Sequence, residues 1–443
     1  MTTCVILGGG LAGLLAAVAL RSYATKVIVI ERDRYPGAVC SRRGSPQSRH
    51  SHVLVGGGAW ALEELLPGIT RDLMKAGAQQ IRLQQDAIIF ASGGLVPAGR
   101  SSAYCMSCSK DLLDYSVRRR AGISVLEETT ATGLIGDATG IRGVRVRDRF
   151  GDTTSIQSDI VVDAMGRSSR AAHWLSSVDI EIADECIASN LSAASRRYRL
   201  SGSPIPGIVV QPAFLRNPDY PSRGGTLFPI EGGQIMVTLT GALNDNPPGT
   251  NQEFISYSQT LQDRIISDAI SCSEPVDKIY RHQRMPNTRR RFKKSLPGYI
   301  AIGDSLLAVA PNYSNGMAIA ALSALGVQRH LQNQGNLVDL QSVISSVAEV
   351  SWQMATGGNR TIGRSQSELQ PHSIHSLPLF RVFAAAQMAE SLESQTLMGV
   401  AAALGMPARA QLIDSALSKS ETHLKAFRSW LSLLASRRDS CNS

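Results

Sequence analysis

Three short runs in this chain set glycines beside a carboxylate, and a fourth sets two histidines behind an arginine. The first is Gly8, Gly10 and Gly13, spaced G-x-G-x-x-G, with Glu31 further on. The second is Asp163-Ala164-Met165-Gly166-Arg167, the third Gly303-Asp304 with Pro311 and Gly316, and the fourth Arg49-His50-Ser51-His52. Closely spaced glycines permit a tight turn, let backbone approach a pyrophosphate and let a helix pack against a strand. The helix N-terminus then offers unpaired N–H groups to the phosphates, and an acid ending the next strand accepts from a ribose. Glu31 follows the glycines by roughly the 20 residues such a site needs. This chemistry is the binding of an adenine dinucleotide.

The elements that must position these residues are local. Residues 5–7 read as a short apolar strand, the glycines as a turn, 11–20 as an alanine- and leucine-rich helix, and 27–30 as a second strand closed by Glu31. A secretory leader is excluded as a reading of this stretch, because no basic residue precedes Arg21 and glycines break the apolar core. Residues 160–163 form a buried-strand pattern running into the Asp163 turn. Residues 298–304 are another buried strand ending in Gly-Asp, and after a loop Gly316 opens an alanine-rich helix. Two strand ends that each feed a helix N-terminus suit a large ligand gripped at both ends.

At 443 residues the chain has room for two or three domains, and 43% hydrophobic content with mean hydropathy near zero fits a soluble globular protein. No apolar run beyond the first unit is long enough to span a membrane. Seven scattered cysteines indicate reduced thiols and a cytoplasmic setting. Cys105 and Cys108 form a lone C-x-x-C that reads as strand-end thiols, and the two histidines have no carboxylate or cysteine beside them, so no metal is expected. The net charge of +9 is concentrated in Arg281, Arg284, Arg289, Arg290, Arg291, Lys293 and Lys294, a solvated edge or a basic rim for phosphates. Aromatics are 5% and not interleaved with these cations, which excludes a nucleic-acid stacking surface.

The remaining chain supplies a second domain. Residues 58–77 have helical periodicity, 80–104 read as strands, and Ser109 is placed to cap a helix whose bland role is core packing through Leu112, Leu113 and Val117. Residues 123–163 alternate short β-rich runs with turns. From 180 to 280 alternating strands predominate, clearest in the hairpin 225–230, Glu231-Gly232-Gly233, 234–240. The tail is helical; Phe427, Trp430, Leu431 and Leu434 beside Arg428, Arg437 and Arg438 make a basic amphipathic end that could touch a membrane, though docking on its own protein is the commoner case. The expected fold is α/β. A discontinuous Rossmann-like dinucleotide domain (1–80, 105–178, 285–340) carries an inserted β-sheet substrate domain (81–104, 179–284) and a C-terminal helical region (341–443).

Together the three glycine–acid runs resemble the FAD-binding signatures of group A flavoprotein monooxygenases, the para-hydroxybenzoate hydroxylase superfamily. Residues 44–54, 62–68 and Pro229-Ile230-Glu231-Gly232-Gly233 resemble more narrowly the flavin epoxidases of polyether antibiotic pathways, those for monensin and lasalocid. The resemblance covers most of 1–330 and implies an FAD enzyme, reduced by transient NAD(P)H, that transfers one oxygen of O2 to an alkene of a polyketide or terpenoid chain. It implies cofactor contacts at Gly8, Gly10, Leu11, Ala12, Gly13, Glu31, Arg32, Arg49, Lys110, Asp163, Gly166, Gly303, Asp304, Pro311, Asn315, Gly316 and Met317. Because the cofactor carries such chemistry, no catalytic dyad is expected; Arg49, His52, Asn315 and Gly316 support it. Phe214, Phe228 and Met236 are expected to wall an apolar pocket for a small organic substrate. Lys110 stands where the relatives have an arginine, which keeps charge but loses the planar fork, and Ser314-Asn315 replaces their glycine-containing pair. The absence of W-x-W-x-I-P disfavours halogenation. The rival readings are a non-redox cyclase or isomerase on the same scaffold and a prenyl-chain reductase.

Overall fold

The computed structural model describes residues 2–362, except 84, 92–93, 96–102, 190, 201–204, 206, 212, 214–222, 243–244, 283–285, 293–294 and 311–314, together with Lys425, Arg428 and Ser429. In chain order the nucleotide domain begins with β1 (Thr3–Leu7), α1 (Leu11–Leu20) and β2 (Lys26–Ile30), and continues through α2 (Lys110–Ala121), β3 (Val125–Leu126) and β4 (Ile160–Asp163). The sheet domain is built on β5 (Leu191–Leu200), β6 (Arg223–Ile230) and β7 (Gln234–Ala242). The chain then returns as β8 (Tyr299–Ala301), α3 (Gly316–Gln332) and α4 (Leu340–Ile362).

The order β8-β4-β1-β2-β3 is parallel throughout, so both faces must be covered by crossover elements. The sequence shows it: Cys4 to Leu7 and Ile160 to Val162 have at most 1% exposure, apolar runs without alternation. α1 is small and apolar almost all round because it is enclosed, packing on α2 and α3 as well as the sheet. α2 starts where expected: the Ser109 side chain accepts from Leu112 N–H at 3.0 Å, and Gly122 ends the helix in the left-handed region.

The second sheet runs through the strands 273–275, 191–200, 234–242, 223–230, 208–211, 87–91 and 94–95, with 280–282 paired to β5. The β6–β7 hairpin turns on Glu231-Gly232-Gly233, both glycines having φ near +70°. Residues 183–187, assigned above to the sheet domain, instead pair with 287–291, which also bonds Leu307 and Ala308. One face of the large sheet buries Leu227, Ile235, Val237 and Leu239 with Phe254, Ile265 and Ile266 of two covering helices. Its other face looks toward the nucleotide domain. The hairpin is also tied there at its tip, where Glu231 accepts from Ser109 N–H at 2.9 Å and from the Ser109 hydroxyl.

Among the described residues no helix is long and apolar enough to cross a membrane. Of the expected amphipathic end only Arg428 is described, and it pairs with Asp263 at 2.6 Å. Phe427, Trp430, Leu431, Leu434, Arg437 and Arg438 lie outside the described residues. Within the basic run near 290, Arg281 is exposed and Arg284, Lys293 and Lys294 lie outside the described residues, while Arg289 pairs with Glu185 and Glu349, Arg290 with Asp163 and Asp184, and Arg291 with Glu185. These three arginines brace the sheet junction and are not a phosphate-attracting rim.

Candidate cofactor and substrate site

The glycine turn is held by geometry that no larger residue satisfies. Gly8 has φ +100°, donates to Ile30 O at 2.8 Å, and a Cβ there would stand 2.5 Å from the Ala164 carbonyl oxygen. A Cβ on Gly13 would stand 1.9 Å from Gly8 O, so helix and turn touch through that position. Glu31 is 5% exposed; its Oε2 accepts from Gly9 N–H and its Oε1 from Asp33 N–H, both at 2.9 Å. A cation is already in place. The Arg42 guanidinium bonds Glu31 at 2.9 Å and stands 3.6 Å from where a Cβ on Gly10 would be, over the N-terminus of α1. Tyr35 donates to Gly9 O at 2.5 Å and stacks with Arg42 and Arg118.

The distant segments converge on this turn. Gly303, at φ +60°, faces Ala12 so closely that a Cβ would stand 2.7 Å from the Ala12 Cβ. Gly166, at φ +72°, donates to Ser305 Oγ at 2.7 Å and lies against Asp304. Gly316 at the start of α3 faces the Asp304 carboxylate, and Met317 beside it is buried. Burial pushes the Asp304 carboxyl up, opposed by the charges of Arg167 and Lys110. Lys110 opens α2 and pairs with Asp114 at 2.5 Å. Asn315 is 5% exposed, yet its amide oxygen and nitrogen have no partner among the described residues. Two orphaned amide atoms beside the N–H groups that open α3 offer a donor and an acceptor to a polar ligand at that helix N-terminus.

Three expectations change. Asp163 is fully buried, and its carboxylate accepts from Ser169 Oγ at 2.5 Å, Tyr299 OH at 3.0 Å and Met165 N–H at 3.1 Å, with Arg290 at 3.3 Å. It clamps the 164–169 turn to β8 and is not free to meet a cofactor itself. Arg49 does not reach toward the glycine turn; it is exposed and lies over the Tyr280 ring, 4.8 Å from its centre, while Arg42, not foreseen, is the cation at the turn. Arg32 is likewise exposed. Phe228 and Met236 are each 2% exposed and cross-strand partners, so they form packed interior, Phe228 within the nucleotide domain's core, and not an open wall. Phe214, Pro311 and Ser314 lie outside the described residues.

What the sheet presents to the 49–52 loop is polar. Tyr280, Ser195, Thr238 and Thr226 are register partners in one row across four strands. Successive loop residues meet successive members of it. Arg49 lies on Tyr280; His50 Nδ1 is 2.8 Å from Ser195 Oγ; Ser51 Oγ is 2.6 Å from Thr238 Oγ1. Ser195 and Thr238 are themselves bonded at 2.7 Å. His282 meets His50 edge to face at 4.9 Å, and His52 Nε2 bonds Gln47 O at 2.7 Å. Burial lowers all three imidazoles, His50 to about 3 with His282, His52 and Arg49 adding to it, His52 to about 4, and His282 to about 4 with Arg167 adding to it.

These histidines therefore fold neutral. With folded values below the unfolded one near 6.5, their contribution is complete above pH 6.5 and is lost as pH falls toward 4 and 3. The unfolding free energy read from urea curves is expected to start falling near pH 6.5, above the carboxylate range, by at most about 1.4 kcal/mol per pH unit for each histidine, and the urea midpoint with it. A midpoint flat from pH 7 to 5 would contradict it. Cys105 and Cys108 are buried, and burial pushes the Cys105 thiol up to about 12 and Cys108 higher still, which leaves both protonated and unsuited to redox work.

Residues 3–176 match the family described as FAD dependent oxidoreductase; the chain is an enzyme, and FAD is its cofactor. Over 399 residues it is 25% identical to protein Rv3254 of Mycobacterium tuberculosis, across 83% of this chain and 82% of that one. Among solved structures it is similar to PqsL, a probable FAD-dependent monooxygenase from Pseudomonas aeruginosa (16% identity, TM-score 0.61, 86% of this chain and 99% of that one). It is also similar to the flavin-dependent brominase Bmp2 (14% identity, TM-score 0.60, 97% and 99%). At these identities the structures establish the shared fold.

Proposed function

We propose that the protein is an FAD-dependent monooxygenase, an epoxidase that transfers one oxygen atom of O2 to an alkene of a polyketide- or terpenoid-like substrate. NAD(P)H supplies the two electrons, and the other oxygen leaves as water. The observation that carries this reading is the convergence of Gly303, Gly166 and Gly316 with Asp304 on the α1 glycine turn, while the Arg49–Ser51 loop is bonded strand by strand to a second sheet. Oxygen transfer needs cover from water, because water destroys the oxidant, and a second sheet bonded to the first domain is suited to supply it.

When bound, FAD supplies two-electron reduction and oxygen activation. The chain's residues place and shield it. Arg42 and the α1 N-terminus would take the diphosphate, Glu31 the ribose, Asp304 the ribityl chain, and the Asn315 amide with the α3 N-terminus the negative charge at the pyrimidine edge. PqsL, named as a probable monooxygenase, supports oxygen chemistry on this fold. Halogenation, the reaction in the name of Bmp2, is disfavoured by the missing W-x-W-x-I-P run.

The test is a panel of polyenes and terpenoids under labelled oxygen. Substrate-dependent NAD(P)H oxidation, matching oxygen uptake and one labelled atom per product are expected. A product formed with neither uptake nor label would point to the cyclase, and NADPH consumption without label to the reductase.

A further inference from the structure

The polar row facing the 49–52 loop is more than a domain tether, because its atoms leave a functional pair over. His50 spends Nδ1 on Ser195 and leaves Nε2 as its second ring nitrogen; His282 Nδ1 is buried without a partner among the described residues. Both rings are only partly exposed, beside Ser51 and Thr226, which are also partly exposed. His282 lies two residues on from Tyr280 along one strand and so shares the sheet face of the polar row, the face that the 49–52 loop of the nucleotide domain meets.

The hydroxyl chain has two self-consistent orientations. If Ser195 donates to Thr238 and Thr238 to Ser51, His50 donates from Nδ1 to Ser195 and presents Nε2 as an acceptor. If the chain is reversed, Ser195 donates to Nδ1, and Nε2–H becomes a donor. The outward face of His50 can thus match a group that both gives and takes a hydrogen bond. Its neutrality at pH 7, with Arg49 and Arg167 near but occupied elsewhere, provides no buried charge to meet an anion.

We propose that His50 and His282 receive the hydroxyl group of a neutral, hydroxyl-bearing substrate, with the Ser195–Thr238–Ser51 chain setting the His50 tautomer. This rests on the oxygenase reading and narrows its substrate class: the carbon skeleton is apolar, but it is oriented by an alcohol, enol or phenol. A purely hydrocarbon polyene would leave both imidazoles unpaired in the bound state, and a site built to bond a hydroxyl rejects the analogue that lacks it.

Equilibrium dialysis of the FAD-loaded protein against 2-naphthol, 2-methylnaphthalene and 2-naphthoate tests this with hydroxyl, methyl and anionic versions of one skeleton. The naphthol is expected to bind at least about tenfold more tightly than either of the others. His282→Leu, His50→Leu and the near-isosteric Thr238→Val should each shrink that preference to within about threefold while flavin content stays unchanged. No binding of naphthol, equal binding of naphthol and methylnaphthalene, tighter binding of the naphthoate, or a preference that survives in the folded Thr238→Val and His282→Leu proteins would each overturn the assignment. Flavin absorbance of the same samples reports separately on the cofactor, so a protein that discriminates naphthol but holds no FAD would refute the oxygenase reading alone.

Discussion

Gly13→Ala protein is expected to purify without FAD and to bind it at least about 100-fold more weakly than the wild type, a loss of about 2.7 kcal/mol. The new methyl would sit 1.9 Å from Gly8 O and 3.3 Å from the Ala164 side chain. Neither neighbour can yield cheaply. Gly8 is fixed by its bond to Ile30 O and its left-handed φ, and Ala164 follows the clamped Asp163. α1 must therefore lift from the turn, which takes its N-terminal N–H groups and the Arg42 guanidinium out of register with a common phosphate position. Gly37→Ala is the matched control: a Cβ there meets nothing within 4 Å and its φ is not positive, so flavin content should be unchanged. Fluorescence of flavin released from equal amounts of each protein reads the result.

The second large effect is on stability. Asp163→Ala should cost about 3–5 kcal/mol, because it strips a fully buried carboxylate from Arg290, Tyr299 and Ser169 and leaves the guanidinium only the half-exposed Asp184 at 3.6 Å. Asp163→Asn keeps the shape and one acceptor oxygen and should lose distinctly less. Urea unfolding of the apoprotein separates this from any effect on the cofactor. Equal losses for the two variants would mean that the charge alone is what Asp163 supplies, and no loss in Asp163→Asn that its shape and hydrogen bonds suffice.

How far these features were legible in the sequence depends on how local their causes are. The glycine turn, α1, Glu31 and the Ser109 cap could be read because each is decided within a turn or a strand–helix–strand unit. The 231–233 hairpin turn was readable for the same reason, since glycines at positive φ carry the signal themselves. Arg42 was missed because its position over Gly10 depends on how the 32–45 connection folds back, and no periodicity governs that. Arg49 was placed at the cofactor since it opens the histidine run, but the loop turns it onto Tyr280, a strand that lies 231 residues on by number (280 − 49).

The arginines near 290 looked like a free cationic rim because their partners Glu185 and Glu349 are remote in sequence. Phe228 and Met236 were correctly expected on one sheet, but which sheet face meets the cofactor domain is a tertiary fact. The polar row of Tyr280, Ser195, Thr238 and Thr226 comes from four separate strands and has no signature in any one of them. Asn315 was named from its place just before the α3 glycine, but its orphaned amide is visible only once the helix is packed.

The account depends on distant glycine–acid runs meeting around one flavin, and titration of the flavin-stripped full chain with FAD measures that directly. Saturable quenching of FAD fluorescence at one equivalent, abolished by Gly13→Ala and weakened by Arg42→Ala, is the predicted result. Failure of the folded wild-type protein to bind FAD, or binding that is indifferent to both substitutions, would contradict it.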